Sequence, residues 1–380
     1  MLKKYYERFL FLAARQILGE RMTEAIMAAE GRVSLHRLRK SLTRRKILKS
    51  ELNGSKSILH DLSRTCLKHL IPVTEPLALI SQIQRSGGTL LSRLFDGHPQ
   101  LHAHPYELKI GYPKKYFWPV LDLRDSPEAW FEILFEDIVV RLFKEGYHKE
   151  RSDETFPFIF LPALQKEIFC KYLAGISRIS QRDIFDAYMT SFFGAWLNNY
   201  NVLGSKKFVT GFTPRLSMKV SNMNAFFHVY PDGRLISIVR DPKNWYPSAL
   251  RHAPQKKHNK YGDIDNALAQ WQENGAAMLR NKEMFADRVC IIRFEDLVSR
   301  TADVMQYLCE FLDIDFNDIL LIPTFNCNQI SANTSFGPEK EKILRSTLYR
   351  YQTLSPEVLR KIDTETGEIY QALLDEAVDL

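Results

Sequence analysis

The stretch Gln84-Arg85-Ser86-Gly87-Gly88-Thr89-Leu90-Leu91 has the composition of an anion cradle. Glycines let the backbone approach a ligand closely and take up φ > 0. The N–H groups of Gly87, Gly88 and Thr89, with a helix dipole behind them, would point at a phosphate-like group. Arg85 adds a permanent charge with fork geometry suited to phosphate oxygens, and Ser86 and Thr89 add hydroxyl donors. A plain strand-to-helix turn accounts for the same residues equally well.

The stretch is not the G-x-x-x-x-G-K-[ST] signature, because no lysine follows the glycines and the metal-anchoring hydroxyl after it is missing. A second candidate is Arg240-Asp241-Pro242-Lys243-Asn244-Trp245-Tyr246-Pro247-Ser248. Asp241-Pro242 reads as a helix cap and first helical residue. That leaves unexplained a charged residue closing a buried strand, with Ser248 two turns further on. Both could reach one phosphate. A third, Arg293-Phe294-Glu295-Asp296-Leu297, opens a helix with two acids, which suits its dipole. His102 and His104 fall on one side of a strand, as a metal pair would. No third ligand is in view, so no metal site is expected and plain surface or core histidines are the simpler reading.

These residues need elements to position them. Leu77 to Ile83 reads as a short buried strand, and Leu90, Leu91, Leu94 and Phe95 share one helical face after the glycines. Leu235–Val239 and Val289–Ile292 read as further buried strands separated by helical stretches. Ser355-Pro356-Glu357 caps a terminal helix running to about Ala372. The pattern predicts an α/β protein: a P-loop-like three-layer fold with a central, mainly parallel sheet flanked by helices, plus a helical N-terminal extension. The domain boundaries predicted are 1–70 for the basic extension and 71–380 for the main domain. Within the latter, 111–205 is an aromatic-rich helical insertion (Tyr112, Tyr116, Phe117, Trp118, Trp130, Phe131, Phe135) on the acceptor side.

The chain has 380 residues, 45% hydrophobic and 26% charged, with a net charge of +7. The charge is uneven: residues 1–70 carry 16 Lys and Arg against 6 Asp and Glu, a net of +10, and the rest is slightly acidic. The basicity therefore belongs to the extension, where Leu2, Tyr5, Tyr6, Phe9, Leu10, Ala13 and Ile17 also recur at helical spacing. A solvated helix face explains it; peripheral membrane or protein contact is the functional alternative. Nucleic-acid binding is not expected, since no base-stacking pattern accompanies the charge. The five cysteines are scattered, without CxxC spacing, and read as reduced thiols. No apolar run reaches the length of a membrane span, and cytoplasmic residence is the expectation.

The order and spacing of the motifs resemble the PAPS-dependent sulfotransferase family, in its bacterial carbohydrate and protein-tyrosine branches (PAPS is 3′-phosphoadenosine-5′-phosphosulfate). Its 5′-phosphosulfate loop reads P-[RK]-[SG]-[GT]-T-[LTW], like residues 84–91. Its 3′-phosphate motif is R-[DN]-P with a serine eight residues after the arginine, like Arg240 and Ser248. An E-D-L helix start follows, as at Glu295–Leu297. The resemblance spans about residues 75–340, plus the terminal helix. It implies PAPS as donor, with no metal, held by Arg85, Ser86, Gly87, Gly88, Thr89, Leu90, Arg240 and Ser248. Arg85 would stabilise the departing phosphate. The implied activity is sulfuryl transfer to a hydroxyl or amine, with a carbohydrate or glycoconjugate as the favoured acceptor. In the protein-tyrosine branch a glutamate soon after His-Pro takes the proton, which puts Glu107 in that role; His104 or His102 are the alternatives. Gln84 and Gly88 replace the usual Pro and Thr. Phe212 stands where a branch of the family has a lysine, which departs from a lysine-assisted mechanism; Arg215 and Lys219 are the candidates to substitute. The C-terminal R-K-G-x-x-G motif of the small-phenol branch is absent, and Asn333 and Ser335 are candidates to close over the 3′-phosphate instead. A kinase-like P-loop phosphotransferase and a catalytically silent nucleotide-binding scaffold are the alternative readings.

Overall fold

A computed structural model describes residues 32–110, 117–148, 155–252, 261–330 and 345–380. The chain divides into two units, Met1–Leu70 and Ile71–Leu380. In the first, helix α1 (Arg32–Lys68) has exposed side chains along most of residues 40–60. The stripe over Leu2–Ile17 lies outside the described residues.

The second unit is built on five parallel strands: β1 (Leu77–Ile80), β2 (Leu101–Glu107), β3 (Phe208–Phe212), β4 (Arg234–Val239) and β5 (Val289–Arg293), in spatial order β2-β3-β1-β4-β5. Strand side chains alternate between faces, and both faces are covered. Ala78, Ile80, Ile236, Ile238, Cys290 and Ile292 join one core cluster, with Leu91, Leu94 and Phe95 of helix α2 (Gly88–Phe95). Val239 and Ile291 join the other, with Trp245 and Trp271. This is the layered α/β architecture expected from the sequence.

The chain winds from β1 out to β2, back to β3 beside β1, then across to β4 on the other side of β1. Between β1 and β4 the winding reverses direction. Such a switch point leaves a crevice beyond the C-terminal strand ends, where open α/β sheets bind ligands. The glycine loop follows β1 and Arg240 follows β4, so both motifs open onto it.

Among the described residues the insertion holds four helices, α3 (Pro127–Leu134), α4 (Ile138–Glu145), α5 (Pro162–Ala174) and α6 (Gln181–Ala195). Ser180 caps α6 reciprocally with Asp183. Trp118, Trp130 and Phe131 are buried, with the Trp118 ring 4.8 Å from Phe185 and Phe131 5.5 Å from Phe169. These rings are core: Trp118 packs onto α6, and Phe131 ties α3 to α5 through its large apolar surface. Tyr112 and Tyr116 lie outside the described residues.

The remaining helices are α7 (Val220–Val229), α8 (Pro242–His252), α9 (Ile264–Phe285), α10 (Phe294–Ser299), α11 (Thr301–Phe311) and α12 (Pro356–Glu376). Ser355 caps α12 by accepting from the Val358 N–H, and the helix runs past the predicted end at Ala372. Gly275 lets α9 and α12 approach, since a Cβ there would lie 2.7 Å from Ile369.

Candidate active site

The loop after β1 is tied down on its protein side. Ser81 Oγ donates to the Thr213 carbonyl at 2.6 Å and accepts from the Ser217 N–H at 3.0 Å. The Ser81 carbonyl accepts from Ser217 and Ser237 hydroxyls, so three strand ends meet on one residue. The Ile83 N–H donates to Asn274, the Trp245 indole to the Gln84 carbonyl and Arg240 Nη1 to the Arg85 carbonyl. Arg85 holds φ 73° and Gly87 φ 100°. For a side-chain-bearing residue that conformation is costly and persists only where the surroundings enforce it.

The ligand side is left open. Gly87, at the N-cap of α2, supplies no side-chain cap, and Thr89 is exposed. First-turn N–H groups without a cap are the donors an anion satisfies. A Cβ on Gly87 would meet Phe294 at 2.5 Å; one on Gly88 would meet the Phe212 ring at 2.2 Å and Gln82 Nε2 at 2.3 Å. Glycine at 88 and phenylalanine at 212 are therefore one packing solution: the ring fills space that a threonine would take.

Arg215 and Lys219, the candidates for the role of the missing lysine, both have protein partners. Arg215 braces the loop from behind, donating to Gln84 at 2.5 Å, Tyr261 at 2.8 Å and Gln270 at 2.7 Å. Lys219 lies over the Phe117 ring, 3.9 Å from its centroid.

Arg240 is 3% exposed at the end of β4. It donates to the Arg85 and Thr347 carbonyls and stacks 4.2 Å from the Phe294 ring centroid, while Nε has no hydrogen-bond partner among the described residues. Burial, then the Arg350 and Arg85 charges, push it down to about 9. Arg85 Nε reaches Ser248 Oγ at 3.4 Å, and Arg350 Nη1 donates to the same hydroxyl at 2.9 Å. Three guanidinium groups gathered in a crevice repel one another, and an anion among them would relieve that repulsion. Glu295 Oε1 accepts from the Asp241 N–H at 3.2 Å, and burial pushes this carboxyl up to about 7.

Arg350 escaped the sequence reading. It sits in 3₁₀ turns, Arg345–Thr353, outside every recognised motif. Its only signal is a basic residue shortly before the α12 cap. Asn333 and Ser335 lie outside the described residues.

Glu107 ends β2 beside Phe212 of β3, about a third exposed, with Lys109 Nζ 3.6 Å away. His102 and His104 point into the helical layer instead. His102 packs on Phe193, and burial, then the Lys206 charge, push it down to about 3. His104 has a fully buried side chain against Phe192.

A model of the Sulfotransferase family matches residues 76–318. The chain belongs to the sulfotransferase family. The match contains the glycine loop, Glu107, Arg240 and Ser248 and stops before Arg350. Solved structures similar to this sulfotransferase include the sulfotransferase domain from the Synechococcus PCC 7002 olefin synthase, at 16% identity and TM-score 0.44, covering 80% of this chain and 96% of that one. The sulfotransferase from Alicyclobacillus acidocaldarius is 14% identical at TM-score 0.41, with 80% and 97% covered. A mouse sulfotransferase complexed with PAP is 12% identical at TM-score 0.37, with 82% and 92% covered. No curated protein matches.

Proposed function

We propose that this sulfotransferase moves the sulfuryl group of PAPS to a hydroxyl of a carbohydrate or glycoconjugate. The observation that carries the donor assignment is the convergence of Arg85 and Arg350 on Ser248, beside buried Arg240 and the uncapped start of α2. This offers two anion-binding elements, as a donor with a 3′-phosphate and a 5′-phosphosulfate requires. Residues 85–90 take the phosphosulfate; Arg240, Ser248 and Arg350 take the 3′-phosphate. The Nε of Arg240, without a hydrogen-bond partner among the described residues, and the uncapped N–H groups at the start of α2 fit that role.

In the transfer, the acceptor oxygen bonds to sulfur as the bond from sulfur to the 5′-phosphate oxygen breaks. Glu107 accepts the acceptor proton, and Arg85 with the α2 N–H groups stabilises the negative charge left on the phosphate. The carbohydrate acceptor rests on the family resemblance and the missing small-phenol motif. Residues 1–70 act in this reading as a basic extension that contacts an anionic membrane surface. Salt-sensitive sedimentation with phosphatidylserine vesicles, lost in a chain starting at Ile71, tests that role.

Thermal shift with 3′-phosphoadenosine-5′-phosphate (PAP) tests the donor. At about 100 times Kd it adds roughly 2.7 kcal/mol of apparent stability. AMP, without the 3′-phosphate, should shift the midpoint far less. An equal shift from ATP with Mg²⁺ would point to the kinase-like reading, and binding without transfer to any screened acceptor to the scaffold.

A further inference from the structure

Glu136, between α3 and α4, is buried with 0% exposure, 29 positions from Glu107 in sequence and outside every motif above. It faces the irregular end of β2. From Ala103 to Glu107 strand β2 advances four residues while its partner advances only from Thr210 to Phe212, so β2 bulges over His104, Pro105 and Tyr106. A bulge re-aims the side chain that follows it and leaves backbone groups without ladder partners. Pro105 removes one donor outright.

Glu136 and His104 satisfy what the bulge exposes. The Lys109 N–H donates to Glu136 Oε2 at 2.7 Å. On the other side of Glu107, His104 Nδ1 donates to the Tyr106 carbonyl at 2.9 Å. The carbonyl can only accept, so Nδ1 carries the hydrogen. His104 Nε2 lies 3.2 Å from Glu136 Oε1, out of line for a hydrogen bond, and both side chains are fully buried. Tyr188 donates to the same Oε1 at 2.9 Å. Burial, then the Glu136 charge, hold the Tyr188 phenol well above its ordinary value, so it remains a donor. Two buried side chains thus hold the chain on the two sides of Glu107, Glu136 at the Lys109 N–H and His104 at the Tyr106 carbonyl.

We propose that Glu136 is a positioning residue for the transfer step: with His104 it clamps the β2 bulge and sets where the Glu107 carboxylate stands. This rests on the reading of Glu107 as the base. An apolar residue at 136 would leave the part-buried Lys109 N–H without its partner, which gives a carboxylate a structural reason to stand in an otherwise aromatic layer. Displacing a reacting group by about 1 Å can cost on the order of 100-fold in rate.

The test compares Glu136→Gln, Tyr188→Phe, Glu107→Gln and the Glu107→Gln/Glu136→Gln double variant in the full chain. The probe is PAPS with methyl β-galactoside at high concentration; the PAP formed is separated by chromatography and read by its adenine absorbance, so transfer to water is counted too. Glu136→Gln should lower kcat about 10- to 100-fold with PAP affinity within about twofold of wild type. Tyr188→Phe, which keeps shape and removes one hydrogen bond, should lower kcat severalfold in the same pattern. In the Glu107→Gln background, Glu136→Gln should do nothing further, because there is no base left to aim. If Glu107→Gln alone keeps wild-type turnover, the reading of Glu107 fails and the clamp falls with it. If Glu107→Gln is slow but the two losses multiply, or PAP affinity falls as far as kcat, Glu136 is structural and the proposal is overturned.

Discussion

Arg350 donates to the hydroxyl of Ser248 at 2.9 Å across 102 positions of chain. Ser248 belongs to the motif that begins at Arg240; Arg350 belongs to none. The contact brings the 3₁₀ turns after the main sheet to the cluster of Arg85, Arg240 and Ser248, and the Tyr351 N–H fixes the same turns to Asn244.

The shared hydroxyl predicts coupling. Arg240→Ala should weaken PAP binding by about 2–4 kcal/mol and Arg350→Ala by about 1.5–3, since each strips a charged donor from a phosphate. Ser248→Ala should cost about 1 kcal/mol. Calorimetric titration of the Arg350→Ala/Ser248→Ala pair should show a loss differing from the sum by at least about 0.5 kcal/mol. Strict additivity would separate Arg350 from the phosphate that Ser248 holds.

The packing of Gly88 against Phe212 predicts a paired substitution. Gly88→Ala should lower stability by about 1–3 kcal/mol through overpacking against the ring. Phe212→Leu in the same chain should recover part of the loss. Urea denaturation measures both; an unchanged midpoint for Gly88→Ala would mean that the ring moves aside freely.

Glu295 predicts a pH dependence. Its carboxyl is raised in the folded chain from 4.5 to about 7, chiefly by burial. Below pH 4.5 folded and unfolded forms are both protonated and the contribution is complete. Between these values the unfolded chain ionises first, so this contribution is lost as pH rises through about 7. Asp186 and Asp241 are raised as well and slope the same way. Glu295→Gln removes one of the three. Its stability relative to wild type should therefore rise by up to about 3 kcal/mol between pH 4.5 and 8 in urea melts. A constant difference across that range would refute the buried carboxyl as its source.

The proposed role of Glu107 predicts a split between chemistry and binding. Glu107→Gln should lose about 10²–10⁴ in turnover while PAP affinity holds. Arg85→Ala should lose both, because Arg85 meets the donor before and during transfer. His102→Asn should stay within a few-fold of wild type, since that ring packs on Phe193 in the helical layer. Labelled PAPS and an acceptor found by screening are the assay. A slow His102→Asn with a fast Glu107→Gln would exchange their roles.

What the sequence alone determined is local and periodic. Short apolar runs became β1, β4 and β5, because a strand buried on both faces needs little beyond them. The glycine turn, the Asp241-Pro242 helix start and the Ser355 cap follow from the conformations those residues permit, with no neighbour required. Arg240 and Ser248 were legible because seven residues of turn and helix separate them. Tertiary structure decided what depends on distant partners. It brought Arg350 to Ser248, turned Arg215 from a candidate ligand into a brace for Gln84, and sank Trp118 and Trp130 into the core. It also put Glu136 behind Glu107. A single side chain carries the same charge or ring wherever it lies; whether it meets a ligand, a loop or the core is set by where the strand order and helix packing place it.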